Sequence, residues 1–278
     1  MSTHTVYARS PEWDLADGRL NELMQGTDVR IVKKTDRTLA GVTHLNGVEV
    51  FVKRVNNRSW LKGMIARVSG SRARNTIRGA NLLQGIGFAY PKLLAAFEQR
   101  RAGSVSATYV LLEYLRRPKI LSRFALADGR DYRWRRSLSE RLGRTVRDLH
   151  GSGCYTRDLQ ETNLMVESHD GRLQIFFTDL EDFRWLPLVP VKLRLRNLLQ
   201  LDRSIGQFVS RPHRLRFLYA YLEGKPGRGE VRAVVGRLDR MHQRTERRKL
   251  RRERSKAIVT PTAHKSQIPE IRQFPLSV

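Results

Sequence analysis

The chain is short of cysteine, of acidic residues and of long apolar runs. Its one cysteine, Cys154, cannot form an internal disulfide, so a fold stapled by bridges is excluded. That usage fits a reducing compartment. No run approaches the roughly 18 apolar residues of a membrane span. The apolar stretches are as short as Ile175-Phe176-Phe177 and Tyr109-Val110-Leu111-Leu112. The opening Met1-Ser2-Thr3-His4-Thr5 lacks the apolar centre of a signal peptide. The sequence therefore predicts a cytoplasmic protein, either free or lying on a membrane surface. No internal repeat and no long low-complexity linker is present.

Acidic residues number 27 against 53 Lys and Arg, a formal net charge of +26. A surface this positive seeks polyanions: nucleic acid, an anionic membrane or a phosphate-rich substrate. Charge alone does not choose among them and says nothing about fold. The 278 residues suit one large domain or two intimate lobes, with enough chain to bury a core.

Periodicity divides the chain. Residues 1–25 read as an irregular or helical lead-in. Val29 to Lys33, Thr38 to Leu45 and Val48 to Val55 read as strands, with Asn46-Gly47 as a tight hairpin turn. In the third strand Val48, Val50 and Val52 share one face; Phe51, Lys53 and Val55 share the other. Residues 71–86 are predicted helical, ending at Gly85-Ile86-Gly87. Leu93 to Glu98 and Ala107 to Tyr114 make two more strands around Arg101-Ala102-Gly103. Beyond 115 helices dominate. Leu138, Leu142, Val146 and Leu149 form one stripe at helical spacing, and Gly151 can end that helix. Residues 163–167 and 173–178 form a hairpin around His169-Asp170-Gly171. Three helices follow, near 192–208, 213–223 and 229–253. From Arg237 to Lys256 there are ten Lys or Arg and three acidic residues. A run of like charge is often only a solvated face, but a polyanionic partner would relieve its self-repulsion.

Strands first and helices after predict an α+β fold in two unequal lobes. The division expected is an N-terminal extension (1–25), a mainly antiparallel β lobe with one helix (26–115), a mainly helical lobe (116–256) and a tail (257–278).

The richest segment runs from Leu149 to Asp182. Asp158 is followed by Asn163 five residues later, then by Asp179 directly after the apolar strand Ile175-Phe176-Phe177. This set suits phosphoryl transfer. Asp158 can accept or orient the proton of an attacking hydroxyl; the Asn163 carbonyl and Asp179 carboxylate are hard oxygen donors for Mg²⁺. Taken alone, Asp158 is as readily a loop cap. The spacing to Asn163 and Asp179, with Lys53 upstream on a strand, favours catalysis.

Arg157-Asp158-Leu159, Asn163 and Asp179 resemble the catalytic and metal-binding segments of the protein-kinase-like superfamily. Within it the sequence resembles the bacterial lipopolysaccharide core kinases of the Kdo and heptose (WaaP-like) group. Asp148-Leu149-His150 with its Gly-x-Gly, Asp179-Leu180-Glu181-Asp182, and Ser71 through Gly87 to Pro91 carry that likeness over roughly residues 30–225. The resemblance implies a two-lobed protein-kinase-like fold and an ATP- and Mg²⁺-dependent phosphotransferase with an alcohol acceptor. It matches Lys53 to the strand lysine that holds ATP phosphates, and Glu113 to the hinge where adenine meets backbone groups. The implied acceptor is a sugar hydroxyl of the lipopolysaccharide inner core, or another anionic glycolipid at an anionic membrane surface.

Three departures stand out. Thr156 occupies the place where many kinases have His two residues before the Asp. The glycine loop is poor, with Gly41 alone near Lys34 to Thr38, so Arg37, Thr38 or backbone groups are the candidate phosphate contacts. The helix 71–86 contains no Glu to pair with Lys53. The last two favour an alternative: a pseudokinase-like module whose basic helix binds a membrane or nucleic acid. The intact Asp158, Asn163 and Asp179 oppose it. A further alternative keeps the kinase and changes the acceptor to a protein or small molecule. No aromatic-and-basic pattern of an RNA surface is seen. His150 reads as a structural residue at a helix C-terminus, where an imidazolium is favoured. Cys154 reads as a buried filler, Asp182 as a structural residue, either an acceptor for Arg157 or a helix cap, and Glu181 as ambiguous between structure and metal.

Overall fold

Alternating apolar residues and a turn that suits left-handed backbone build the first lobe of this computed structural model. It describes residues 2–15, 20, 29–57, 71–101, 104–125, 132–169, 172–224 and 226–259. Strands β2 (Arg30–Lys34), β3 (Thr38–Leu45) and β4 (Val48–Asn56) run antiparallel. Asn46 and Gly47, at φ 51° and 75°, close the β3–β4 hairpin with the twist that two-residue loops require. Strands β5 (Leu93–Arg101) and β6 (Ser104–Glu113) complete the centre. With β1 (Ser2–Ala8) at one edge, the strand order is β1-β5-β6-β4-β3-β2.

The strand β1 (Ser2–Ala8) corrects the reading of the N-terminus as irregular or helical. Its polar Ser-Thr-His-Thr stretch can sit at a sheet edge, where among the described residues it pairs with β5 alone, from Ser2 opposite Arg100 to Ala8 opposite Ala95. The expected turn at 102–103 and the tail from 260 lie outside the described residues.

The sheet buries both faces. On one, Val50, Val52, Phe97, Tyr109 and Leu111 pack with Trp13, Leu15 and Leu20. On the other, Leu93, Val110 and Leu112 meet Ala80 and Leu83 of helix α1 (Arg72–Gly85). Ser71 caps α1 by accepting the Arg74 N–H at 3.2 Å. The helix stops in a Schellman motif: Phe88 N–H donates to the Leu83 carbonyl, Gly87 N–H to Gln84, and Gly87 holds φ 76°.

The second lobe begins with β7 (Lys119–Ile120) and α2 (Leu121–Ala125). Helix α3 (Tyr132–Gly151) buries the expected stripe of Leu138, Leu142, Val146 and Leu149. Each such fully buried side chain contributes about 1.5–3 kcal/mol. Gly143 lets α3 lie close against α5 (Arg211–Leu222), because a Cβ there would fall 2.4 Å from the Phe217 carbonyl oxygen. Strands β8 (Cys154–Thr156), β9 (Leu164–His169), β10 (Arg172–Phe177) and β11 (Phe183–Trp185) form two small sheets, ordered β10-β9-β7 and β11-β8. Helices α4 (Val191–Ile205) and α6 (Arg228–Val259) complete the lobe. Val231, Val234, Val235, Leu238 and Met241 seat the first part of α6 on the core; its basic remainder leaves that core. Among the described residues no helix is long and apolar enough to cross a membrane.

Candidate active site

Lys53 lies on the central strand β4, facing α1 with Val55, Val110 and Leu112 around it. Burial pushes its ammonium down, but Asp179 and Glu181 outweigh that and hold the lysine above its ordinary value. Lys53 Nζ lies 3.0 Å from Asp179 Oδ1 and 3.6 Å from Glu181 Oε1. The two lobes therefore meet through an ion pair that joins β4 to the segment after β10.

The loop between β8 and β9 holds Asp158 and Asn163. Thr156, in the place of the kinase His, accepts the Asp158 N–H through its hydroxyl at 3.2 Å. Asp158 Oδ1 accepts from Gln160 Nε2 at 2.6 Å, and Oδ2 from Asn163 Nδ2 at 3.2 Å. Asn163 Nδ2 also donates to the Asp158 carbonyl at 3.0 Å. Both bonds use the amide nitrogen of Asn163, which leaves its carbonyl end as an oxygen donor. The Asn163 main-chain carbonyl accepts the Thr178 N–H at 3.1 Å, tying the loop to the residue before Asp179.

Carboxylate oxygens of Asp158, Asp179 and Asp182 lie within 4.8 Å of one another. This oxygen-rich corner fits a hard divalent cation in donor type. Asp182 is already engaged: its Oδ1 accepts from Arg157 Nε at 2.9 Å and Nη2 at 2.7 Å. Of the two structural roles expected of Asp182, the structure shows the pairing with Arg157.

Helix α4 supports this loop from below, and nothing in the sequence reading pointed to it. Asn197 Nδ2 donates to the Thr156 carbonyl at 2.7 Å, Gln200 Nε2 to the Arg157 carbonyl at 2.7 Å, and Ser204 Oγ accepts the Glu161 N–H at 3.0 Å. The only sequence signal is their spacing of three and four, which puts all three on one helical face. Behind them His150 is fully buried. Asn197 donates from Nδ2, so its Oδ1 accepts from His150 Nε2 at 3.1 Å; His150 Nδ1 then accepts from the Tyr221 hydroxyl at 2.9 Å. This fixes a neutral imidazole, and burial lowers its pKa to about 4. The expectation of a favoured imidazolium is corrected: loss of water outweighs the helix end. Cys154 is buried as expected, and burial pushes its thiol up to about 12.

The remaining candidates fall elsewhere. Glu113 ends β6 and its N–H donates to the Lys92 carbonyl at 2.9 Å. Arg37 and Thr38 lie at the β2–β3 turn, which Thr35 closes by accepting the Thr38 N–H at 3.0 Å. Thr38 stands opposite Val55, two residues along β4 from Lys53. Gly41 serves packing, since a Cβ there would lie 2.6 Å from Val29 Cγ1.

Residues 30–221 match the model of the lipopolysaccharide kinase (Kdo/WaaP) family. A search of curated proteins finds no match. Among solved structures the chain is similar to WaaP in complex with acyl carrier protein, at 20% identity and a TM-score of 0.63, over 87% of this chain and 98% of that one. At that identity the likeness speaks for the fold, which is protein-kinase-like.

Proposed function

This chain belongs to the lipopolysaccharide kinase (Kdo/WaaP) family, and from that premise we propose that it phosphorylates a sugar hydroxyl of the lipopolysaccharide inner core, Kdo or heptose, at the cytoplasmic face of the membrane. Family membership makes it a phosphotransferase that uses ATP. The observation that carries the site assignment is the convergence of Lys53, Asp158, Asn163 and Asp179 between the two lobes.

In this reading Lys53 presents its ammonium to the ATP phosphates. Asp179 and the Asn163 carbonyl would hold Mg²⁺, which would supply charge neutralisation on the phosphates. Asp158 accepts the hydrogen bond of the acceptor hydroxyl and turns its oxygen in line with the γ-phosphorus. The new O–P bond forms as the bond to the bridging oxygen of ADP breaks, and the hydroxyl proton passes to Asp158. Most of the acceleration comes from holding the groups in place and from charge stabilisation.

The acceptor reading draws on charge as well as family. Inner-core sugars and lipid A are anionic, and the chain carries +26. The basic run of α6 can lie on the same surface, where each Lys or Arg contributes about 1 kcal/mol at low salt.

A protein partner is also favoured. The similar WaaP was solved with an acyl carrier protein. In this chain an apolar cavity of about 630 Å³ lies among α3, α4, α5 and α6, lined by Leu138, Leu142, Leu201, Ile205, Leu218 and Val231. Its volume and lining suit an acyl chain, so we assign this chain a partner of the same class.

Asp158→Ala and Asp179→Ala test the mechanism in an assay of phosphate transfer from ATP to purified lipopolysaccharide. Each is expected to lower transfer at least a hundredfold. Unchanged transfer in both would sink the assignment.

A further inference from the structure

Helix α1 runs from Arg72 to Gly85 without one acidic residue, yet Lys53 beneath it is ion-paired. We infer that Glu181, held by Arg72, is the residue that positions Lys53 for nucleotide; the inference rests on the kinase reading above and names a positioning residue within it. The acid and the helix have exchanged parts. The carboxylate comes from the segment after β10, and α1 supplies a cation to steady it.

The geometry is specific. Glu181 Oε1 takes the Arg72 Nη1 hydrogen bond and lies 3.6 Å from Lys53 Nζ. One oxygen thus bridges a cation of α1 to the cation of β4. The Glu181 side chain is 14% exposed. Burial, with Asp179 and Asp182 nearby, holds its carboxyl above the ordinary value despite Lys53 and Arg72, which oppose the shift. Gly79 brings α1 onto the same segment, because a Cβ there would stand 1.9 Å from the Leu180 carbonyl oxygen. The helix backbone therefore rests directly on the residue before Glu181.

Asp179 is nearer to Lys53, but it belongs to the oxygen corner that suits a divalent cation. Glu181 does not: among the described residues that corner comprises Asp158, Asp179 and Asp182. A divalent cation on Asp179 would weaken its hold on Lys53 and repel the ammonium. Glu181, already neutralised by Arg72, is then the anion left to keep Lys53 in place. The arrangement also links any shift of the α1 N-terminus to Lys53 through a single carboxylate.

The test is equilibrium binding of ADP to the full chain by calorimetry, with and without Mn²⁺, alongside Mn²⁺ binding by electron paramagnetic resonance. Glu181→Gln is expected to weaken ADP binding about tenfold with Mn²⁺ present and less without it, where Asp179 still holds Lys53. It should weaken it no further in a Lys53→Met background, and leave Mn²⁺ affinity within about twofold. Arg72→Gln, at the half-exposed helix start, should shift ADP binding in the same direction and add nothing to Glu181→Gln. Loss of Mn²⁺ affinity with ADP binding intact would make Glu181 a metal ligand and overturn the inference. Full additivity with Lys53→Met would overturn it too. None of these readouts involves the acceptor. A wild-type protein that ignores lipopolysaccharide but shows this coupling would retire the acceptor and keep the role of Glu181.

Discussion

Asn197 donates to the carbonyl of Thr156 at 2.7 Å, so a residue in the middle of α4 holds the strand that leads into Asp158. The same side chain accepts from His150. One amide thereby fastens the end of α3, the end of β8 and α4 together. Removing it leaves a buried carbonyl and a buried imidazole N–H without partners, which costs about 1–3 kcal/mol per group. Asn197→Ala is expected to lower stability by about 2–4 kcal/mol in chemical denaturation. Transfer activity should fall more than ADP affinity, because the loop carries Asp158 rather than Lys53.

The neutral His150 gives stability a pH dependence. Its folded-state pKa of about 4 lies below its ordinary 6.5, through burial first and Arg194 in part, against the hydrogen bond to Asn197. The unfolded chain takes up a proton at a pH where the folded one does not. This contribution is therefore complete above pH 6.5, declines as pH falls toward 4, and is flat for this group below that. The loss amounts to about 3 kcal/mol. Melting curves between pH 4 and 7 should slope accordingly, and His150→Met should flatten that slope whatever it does to the melting temperature at pH 7.

Gly79 offers a sharper probe of the contact between α1 and the Asp179 segment. Alanine normally favours a helix over glycine by about 0.5–1 kcal/mol. At this position its Cβ would meet the Leu180 carbonyl oxygen at 1.9 Å, so something must move. Gly79→Ala is expected to destabilise by about 1–3 kcal/mol and to reduce ADP affinity. Gly85→Ala, where a Cβ meets nothing within 4 Å, serves as the control for helix propensity.

The basic end of α6 is exposed at Arg247, Arg248 and Arg251. Neutralising these three to Gln should cut binding to vesicles containing anionic phospholipid, and wild-type binding should weaken with added salt. Co-sedimentation across salt reads both. Unchanged binding would remove α6 from the membrane contact.

Much of this fold is legible in the sequence where the signal is local. Asn46-Gly47 declares its hairpin because few other dipeptides accept two positive φ values. Leu138, Leu142, Val146 and Leu149 declare α3 because one period runs through a whole helix. Asp158, Asn163 and Asp179 declare themselves as a set through their spacing, and the structure brings them to one corner with Lys53. What stayed hidden depends on neighbours far along the chain. The β1 strand is polar and pairs on one side, so its composition carries no strand period. Asn197, Gln200 and Ser204 look like ordinary polar residues until the loop lies against them. Glu181 looked ambiguous because its partner comes from β4 and its support from α1, and no local pattern connects those elements.

The central claim is that the cleft holding Lys53, Asp158, Asn163 and Asp179 transfers phosphate to an inner-core sugar. The most direct measurement is mass spectrometry of purified core oligosaccharide after incubation with ATP, Mg²⁺ and either the wild-type protein or Asp158→Ala. One added phosphate on Kdo or heptose is expected with the wild type and none with the variant. An unmodified core in both, or equal phosphorylation in both, would contradict it.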